Sequence, residues 1–304
     1  MTSEPFRLST WPTPLEPAAR LAGALGLGPD DLWIKRDDLT GLGGGGNKVR
    51  KLEYTLAAAL RNGADTVITS GAAQSNHARL TAAAAARSGL RAVLVLEGEE
   101  PERAAGNLVL DRLFGAEIVW AGEVRPAELG ARIEQEAERL RAGGAVVEVI
   151  PFGGSSVVGA QGYVEAGREI LEQTATLDTV VVALGSGGTM AGLVRALGAD
   201  RVLGVDVGAV GNPAEVVAEL SGSTDPLRIR SDGEGYGVLT PAVREAMELA
   251  ARTEGLVLDP VYTGRAAAGL IAAVADHSIR PGQRTVFLHS GGLPGLFGHS
   301  AFRG

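Results

Sequence analysis

The chain has 304 residues, 45% hydrophobic and 4% aromatic, with no cysteine and a formal net charge of −8. Disulfides, thiolate metal ligands and a cysteine nucleophile are excluded, and an acidic chain without a basic stripe has nothing to attract a nucleic-acid backbone. This length buries a large core, as one large domain or two modest ones, and the Ala- and Gly-rich composition suits a packed α/β protein.

The pattern predicts an extended, Pro-punctuated arm over residues 1–30 with a short helix near 17–25. Leu32-Trp33-Ile34-Lys35-Arg36-Asp37-Asp38 reads as a strand entering a charged turn. The chain is organised around the next stretch, Gly41-Leu42-Gly43-Gly44-Gly45-Gly46-Asn47-Lys48-Val49-Arg50-Lys51-Leu52-Glu53. Five glycines in six residues suit neither helix nor strand; they serve where backbone passes close to something or takes a turn closed to a Cβ. A helix over 48–62 comes after it. Of 28 basic residues only Lys35, Lys48 and Lys51 are lysine. Arginine keeps its proton, whereas lysine can become a neutral amine and a nucleophile, so one of the three is read as chemical. A merely solvated first-turn lysine is the plain alternative. A G-x-x-x-x-G-K-[ST] phosphate loop is excluded, because Asn47 precedes Lys48 in place of glycine and Val49 follows it without a hydroxyl.

Strands at 66–69, 92–96, 118–120 and 146–150 then alternate with helices over 75–88, 104–114 and 125–142. Strands spaced by about 30 residues with helices between them imply right-handed βαβ units in a parallel sheet. After Pro151-Phe152-Gly153-Gly154 the rhythm restarts, with helices over 159–172, 189–197, 213–221, 241–254 and 265–277 and strands at 179–184, 202–207 and 285–289. Residues 180–184 are wholly apolar, as in a strand covered on both faces. The break near 150 suggests two α/β halves with a cleft between them, and ligands of open parallel sheets bind at the carboxyl ends of strands.

Two further loops after strands stand out. Gly185-Ser186-Gly187-Gly188-Thr189 opens a helix, and free N–H groups there form an anion cradle whose usual guest is phosphate. A dinucleotide fingerprint competes, with Asp206 as its ribose acid, but Met190 occupies the position that needs a small residue. Asp206 is then a structural strand-end acid. Ser70-Gly71-Ala72-Ala73-Gln74-Ser75-Asn76-His77 holds more hydrogen-bonding side chains than the N-cap Ser75 needs, and a helix start of this kind suits a carboxylate. His77 reads as a base or as a capping-turn histidine; His277 and His299 read as surface groups and His289 as an ordering one. No spacing suggests a metal, and no G-x-S-x-G elbow is present. An amine after a glycine loop, a monophosphate cradle and a carboxylate-sized pocket are the parts of a pyridoxal phosphate enzyme acting on an amino acid.

With Lys35-Arg36-Asp37-Asp38, Gln74-Ser75-Asn76-His77, Asp259-Pro260-Val261-Tyr262 and His289-Ser290-Gly291-Gly292, these motifs resemble the pyridoxal phosphate enzymes of fold type II over about residues 8–298. The branch is that of D-cysteine desulfhydrase and 1-aminocyclopropane-1-carboxylate deaminase. The resemblance implies a tryptophan synthase β-like α/β fold: two parallel-sheet domains, the large one from 1–51 and 151–304, the small one from 52–150, with the cofactor cleft between them. It implies Lys48 as the cofactor lysine, Lys51 beside the phosphate with Gly185, Ser186, Gly187, Gly188 and Thr189, and Asn76 on the phenolic oxygen. Ser75, Asn76 and His77 match the carboxylate site, with Ser75 near the proton path, and Tyr236 and Tyr262 match two active-site tyrosines.

Cyclopropane deaminases of the branch carry Glu after the second tyrosine and Leu before the final Gly-Gly. This chain has Thr263 and Ser290, like the desulfhydrases. By analogy Ser290 takes the pyridine nitrogen, with Thr263 next to it. A hydroxyl there makes a weaker electron sink than a carboxylate, enough to expel a thiolate. The expected function is a D-cysteine desulfhydrase-like lyase; L-cysteate sulfo-lyase, the cyclopropane deaminase and a non-catalytic amino-acid binder are the alternatives. A homodimer is implied. The first 25 residues, with Glu4, Pro5, Pro12, Pro14, Glu16 and Pro17, are unlike a signal or transit peptide, and no apolar run reaches membrane-spanning length, so a soluble cytoplasmic protein with a small amino-acid substrate is expected.

Overall fold

The computed structural model describes residues 4–124 and 126–302; Arg125, the expected start of a helix, lies outside them. Ten strands are seen among the described residues: β1 (Leu15–Pro17), β2 (Leu32–Arg36), β3 (Thr66–Gly71), β4 (Arg91–Leu96), β5 (Glu117–Trp120), β6 (Val147–Val149), β7 (Thr179–Leu184), β8 (Val202–Asp206), β9 (Arg228–Arg230) and β10 (Thr285–His289). They form two sheets, ordered β1-β2-β10-β7-β8-β9 and β5-β4-β3-β6. Every pairing is parallel except β1 with β2. The expected architecture of two parallel-sheet α/β units is what the chain adopts.

Both sheets are covered on both faces, which is why their central strands read as continuous apolar runs. Along β7, Val180, Val182 and Leu184 pack with Tyr163, Ile170, Met190 and Leu193 of the helices Val157–Gln173 and Gly188–Leu197. Val181 faces the other way, with Phe287, Val243, Met247 and Leu270, against the helices Pro241–Glu254 and Thr263–Ala275. The strand period of two assigns these faces. In the smaller sheet Val67, Leu94 and Leu96 pack with Leu52, Leu56 and Leu80, while Ile68, Val93 and Val95 meet Leu129, Ile133 and Leu140. The helix Lys48–Arg61 bridges the two: Arg50 binds back to Asp37 and Glu169, while Leu52 and Leu56 join the core of the smaller sheet.

Most expected elements appear within one to three residues. The helix Val157–Gln173 begins two residues earlier than predicted, because the Ser156 side chain accepts from the Gly159 amide at 3.0 Å and caps it. β1 and β9 were not legible: Leu15-Glu16-Pro17 carries a proline, and Arg228-Ile229-Arg230 is charged at both ends. Both are edge strands, where proline and charge are tolerated. The short helix Leu293–Gly298 was also unpredicted.

Candidate active site

Loops at the carboxyl ends of strands from both sheets converge on a cavity of about 220 Å³ between the two sheets. The glycine loop after β2 contributes Asn47, Lys48 and Lys51; the loop after β3 contributes Ala72, Ser75, Asn76 and His77; Glu97 follows β4. Residues Gly185, Ser186, Gly187 and Thr189 follow β7, Gly208 and Ala209 follow β8, and Ser290 and Gly291 follow β10. Tyr236 and Tyr262 complete the wall. This is the carboxyl-end placement expected of parallel sheets.

The glycine loop is gripped along its length. Arg79 is buried and donates to the carbonyls of Gly43 and Gly45 at 2.7 and 2.9 Å. The Thr40 hydroxyl accepts from the Gly46 amide at 2.8 Å, and the Asn47 amide donates to the Ser290 carbonyl at 2.9 Å. Gly45 has φ 76° and ψ 168°, and a Cβ there would lie 2.0 Å from the Asp38 carbonyl oxygen. Only glycine fits both the conformation and the space. The loop therefore delivers Lys48 to the first turn of its helix at one fixed place.

The three lysines have different surroundings. Lys35 is fully buried away from the cavity and donates to Glu169, Gln173 and the Thr13 carbonyl, within a network where Arg50 holds Asp37 and Glu169. It is structural. Lys51 lines the cavity and donates to the Gly153 carbonyl and the Ser155 hydroxyl, both at 3.1 Å. Lys48 has the Lys51 amine beside it, and burial pulls its own amine down to about 8. Lys51 is also driven down, by burial and then by Lys48. Neither amine has a carboxylate partner among the described residues.

The phosphate-sized cradle sits at the start of the helix Gly188–Leu197. Ser155 ties it together: its hydroxyl meets Ser186 Oγ at 2.8 Å and accepts from the Gly188 amide and from Lys51. Asn47 Nδ2 donates to Thr189 Oγ1 at 3.1 Å, linking the cradle to the glycine loop. Gly188 itself stands behind the wall, yet a Cβ on it would lie 3.0 Å from Lys51 Nζ. A buried and a half-buried amine without carboxylate partners among the described residues, beside a helix start, fit a bound phosphate.

At the opposite loop, Ser75 caps its helix by accepting from the Ala78 amide at 3.1 Å and still has a hydroxyl proton to give. Asn76 Oδ1 accepts from Asn107 Nδ2 and Arg79 Nη2, so its amide NH2 is the end left for a ligand. His77 lines the cavity. The Thr69 hydroxyl spends its proton on the Ile150 carbonyl and meets His77 Nε2 at 2.9 Å, so Nε2 carries the hydrogen and buried Nδ1 is an unpartnered acceptor. Burial and then Lys48 and Lys51 hold the ring neutral. Its side chain therefore repels a carboxylate, and only its first-turn backbone N–H, which has no intrahelical acceptor, suits one.

Thr263 is a correction. It is fully buried, outside the cavity wall, and its hydroxyl accepts from the Asp259 amide and donates to Asp259 Oδ1 at 2.7 Å. The Thr263 side chain serves Asp259, which also accepts from the Tyr262 amide and so aims that tyrosine. Tyr262 and Tyr236 meet hydroxyl to hydroxyl at 2.6 Å with rings 6.0 Å apart and edge-on. Ser290 lines the cavity with its backbone carbonyl engaged by Asn47, and its hydroxyl has no hydrogen-bond partner among the described residues. Of the remaining histidines, His289 accepts from the Gly291 amide and orders the loop. Asp206 accepts from the Gly208 amide, as a strand-end acid does. Sequence reasoning missed Asn47, Arg79, Glu97, Ser155 and Asp259. The Gly153-Gly154 pair after β6 was a usable signal for Ser155; the others needed the third dimension.

A family profile described as "Pyridoxal-phosphate dependent enzyme" matches residues 6–291. The chain belongs to that family. It is a pyridoxal phosphate-dependent enzyme, and the lone amine, the cradle and the Asn76 amide donor fit that cofactor. A "Putative 1-aminocyclopropane-1-carboxylate deaminase" of Pyrococcus abyssi is 43% identical over 95% of this chain and 92% of that protein. A "D-cysteine desulfhydrase" of Salmonella choleraesuis is 42% identical over 95% and 94%. The crystal structure of an ACC deaminase homologue superposes with a TM-score of 0.88 at 39% identity, covering 98% of this chain and 94% of that one. Maize serine racemase, at 18% identity and a TM-score of 0.68 over 92% and 88%, shares the fold. Among the described residues no helix is long and apolar enough to cross a membrane.

Proposed function

We propose that this enzyme is a lyase of the D-cysteine desulfhydrase type, converting D-cysteine and water to pyruvate, hydrogen sulfide and ammonia. The observation that carries the reading is Ser290: the wall after β10 presents a hydroxyl, neither carboxylate nor leucine, where the branch places the partner of the pyridine nitrogen. Bound pyridoxal phosphate supplies a conjugated electron sink for the Cα carbanion. Lys48 would hold the cofactor and, as a free amine, would accept the proton from the substrate Cα; burial favours that neutral amine. Lys51, Gly185, Ser186, Gly187, Gly188 and Thr189 would hold the phosphate, and the Asn76 amide would serve the phenolic oxygen. Ser75 and the first-turn amides of its helix orient the substrate carboxylate. Tyr236 and Tyr262 close the substrate side and exclude water while sulfide leaves from Cβ.

The Pyrococcus relative keeps a 1-aminocyclopropane-1-carboxylate deaminase as the second reading. The test is pyruvate release from D-cysteine, L-cysteine, D-serine, L-cysteate and 1-aminocyclopropane-1-carboxylate, offered separately. Pyruvate from the cyclopropane and none from D-cysteine overturns the proposal. The same proposal divides the chain into a large unit, 1–51 with 151–304, and a small one, 52–150, and takes from the resemblance a cytoplasmic homodimer.

A further inference from the structure

We infer that Glu97 is a specificity residue: its carboxylate turns away amino acids bearing a second acidic group on the side chain and reserves the cleft for uncharged side chains. This rests on the reading of Ser75 and Asn76 as the substrate carboxylate site. Among the described residues Glu97 is the one carboxylate on the cavity wall.

Its backbone is fixed beside that site. Leu96 is the strand partner of Gly71, and the Glu97 amide donates to the Gly71 carbonyl at 3.0 Å. Gly71 lies against the cap residue, since a Cβ on it would be 2.5 Å from Ser75 Cβ. One residue on, Gly98 and Gly122 exchange amide hydrogen bonds at 2.9 and 3.0 Å, which pins the turn. The Glu97 side chain is half-buried and has no hydrogen-bond or ion-pair partner among the described residues. A structural carboxylate at this depth normally has one.

The charges of the wall are segregated. Both lysines belong to the glycine loop and the phosphate cradle, where Lys51 is tied to Gly153 and Ser155. Glu97 belongs to the side of the tyrosine pair, whose hydroxyls are kept protonated by burial first, with Asp259 and then Glu97 adding in the same direction. The helix start at Ser75 has room and donors for one carboxylate. A second anion on the same amino acid would share the cleft with the Glu97 carboxylate. Like charges sharing a partly desolvated cleft cost about tenfold in affinity.

The test is calorimetric binding of asparagine and aspartate, in both hands, to the cofactor-loaded enzyme and to its Glu97→Gln and Glu97→Ala variants, with alanine as the uncharged reference. The wild type is expected to bind asparagine about tenfold more tightly than aspartate of the same hand. Glu97→Gln should bring that ratio to within about threefold by improving aspartate, with alanine moved by less than about twofold. An unchanged ratio in both variants overturns the inference, and so does loss of cofactor loading in both, since a specificity residue is not needed to hold the cofactor. D-cysteine turnover plays no part in the readout. A protein that releases no sulfide yet loses its preference for asparagine on Glu97→Gln sinks the proposed reaction and keeps this inference; sulfide release with an unchanged ratio does the reverse.

Discussion

Placing a methyl group on Gly45 tests whether the glycine loop aims Lys48. Gly45 sits at φ 76° and ψ 168°, a region nearly closed to residues with a side chain, and its Cβ would approach the Asp38 carbonyl oxygen to 2.0 Å. Occupying that backbone region costs about 1–3 kcal/mol, and the clash with a backbone atom cannot be relieved by rotating a side chain. Gly41 is the matched control: it has φ 79° and ψ −48°, and a Cβ there meets nothing within 4 Å. Gly41→Ala therefore carries the conformational cost alone. Gly45→Ala must also move the segment between Asp38 and Asn47, which the Arg79 and Thr40 hydrogen bonds hold in place. A displacement of about 1 Å at a reacting group costs roughly a hundredfold in rate. In denaturant titrations Gly45→Ala should be less stable than Gly41→Ala by more than about 1 kcal/mol, and its kcat/KM should fall about a hundredfold further. Equal stability and equal kcat/KM in the two variants would refute the idea that the loop positions the amine.

The Lys48 amine, lowered by burial from its ordinary 10.5 to about 8, should make cofactor attachment to the apoenzyme rise with pH through about 8; a midpoint near 10 in the visible absorbance would contradict this. The linkage has the same sign, because between about 8 and 10.5 the unfolded chain binds the extra proton, so this group adds stability as pH rises through that window. Lys51→Met removes a cation from the cradle and should weaken cofactor binding about tenfold to a hundredfold in equilibrium dialysis. Thr263→Val should lower stability by about 1–3 kcal/mol, since it strands the buried Asp259 partners, while leaving the ratio of D-cysteine to cyclopropane turnover unchanged. Ser290→Ala should change that ratio with little loss of stability.

The βαβ rhythm was legible because parallel strands covered on both faces have to be apolar, and β7 could be read to the residue. The rarity of lysine in this chain narrowed the candidate amines to three, although composition could not separate Lys48 from Lys35. That distinction lies in Glu169 and Gln173, which are remote in sequence and meet Lys35 only after folding. Thr263 shows the opposite limit. Its neighbour Tyr262 lines the cavity, but consecutive residues at a helix start point in different directions, and Asp259 claims the threonine hydroxyl. His77 was legible as a site residue, but its tautomer is set by where the Thr69 proton goes, which depends on the Ile150 carbonyl across the sheet. The edge strands β1 and β9 carry proline and arginine for the same reason that they escaped notice: an outermost strand is protected by features that weaken a strand signal.

The proposed chemistry depends on Lys48 as the amine that holds the cofactor. Borohydride reduction of the loaded enzyme followed by peptide mapping tests this most directly, because it makes the lysine–cofactor bond permanent wherever it lies. The cofactor mass is expected on Lys48, with Lys35 and Lys51 unmodified. A label on Lys51 or Lys35, or a full label persisting in Lys48→Ala, would contradict that assignment.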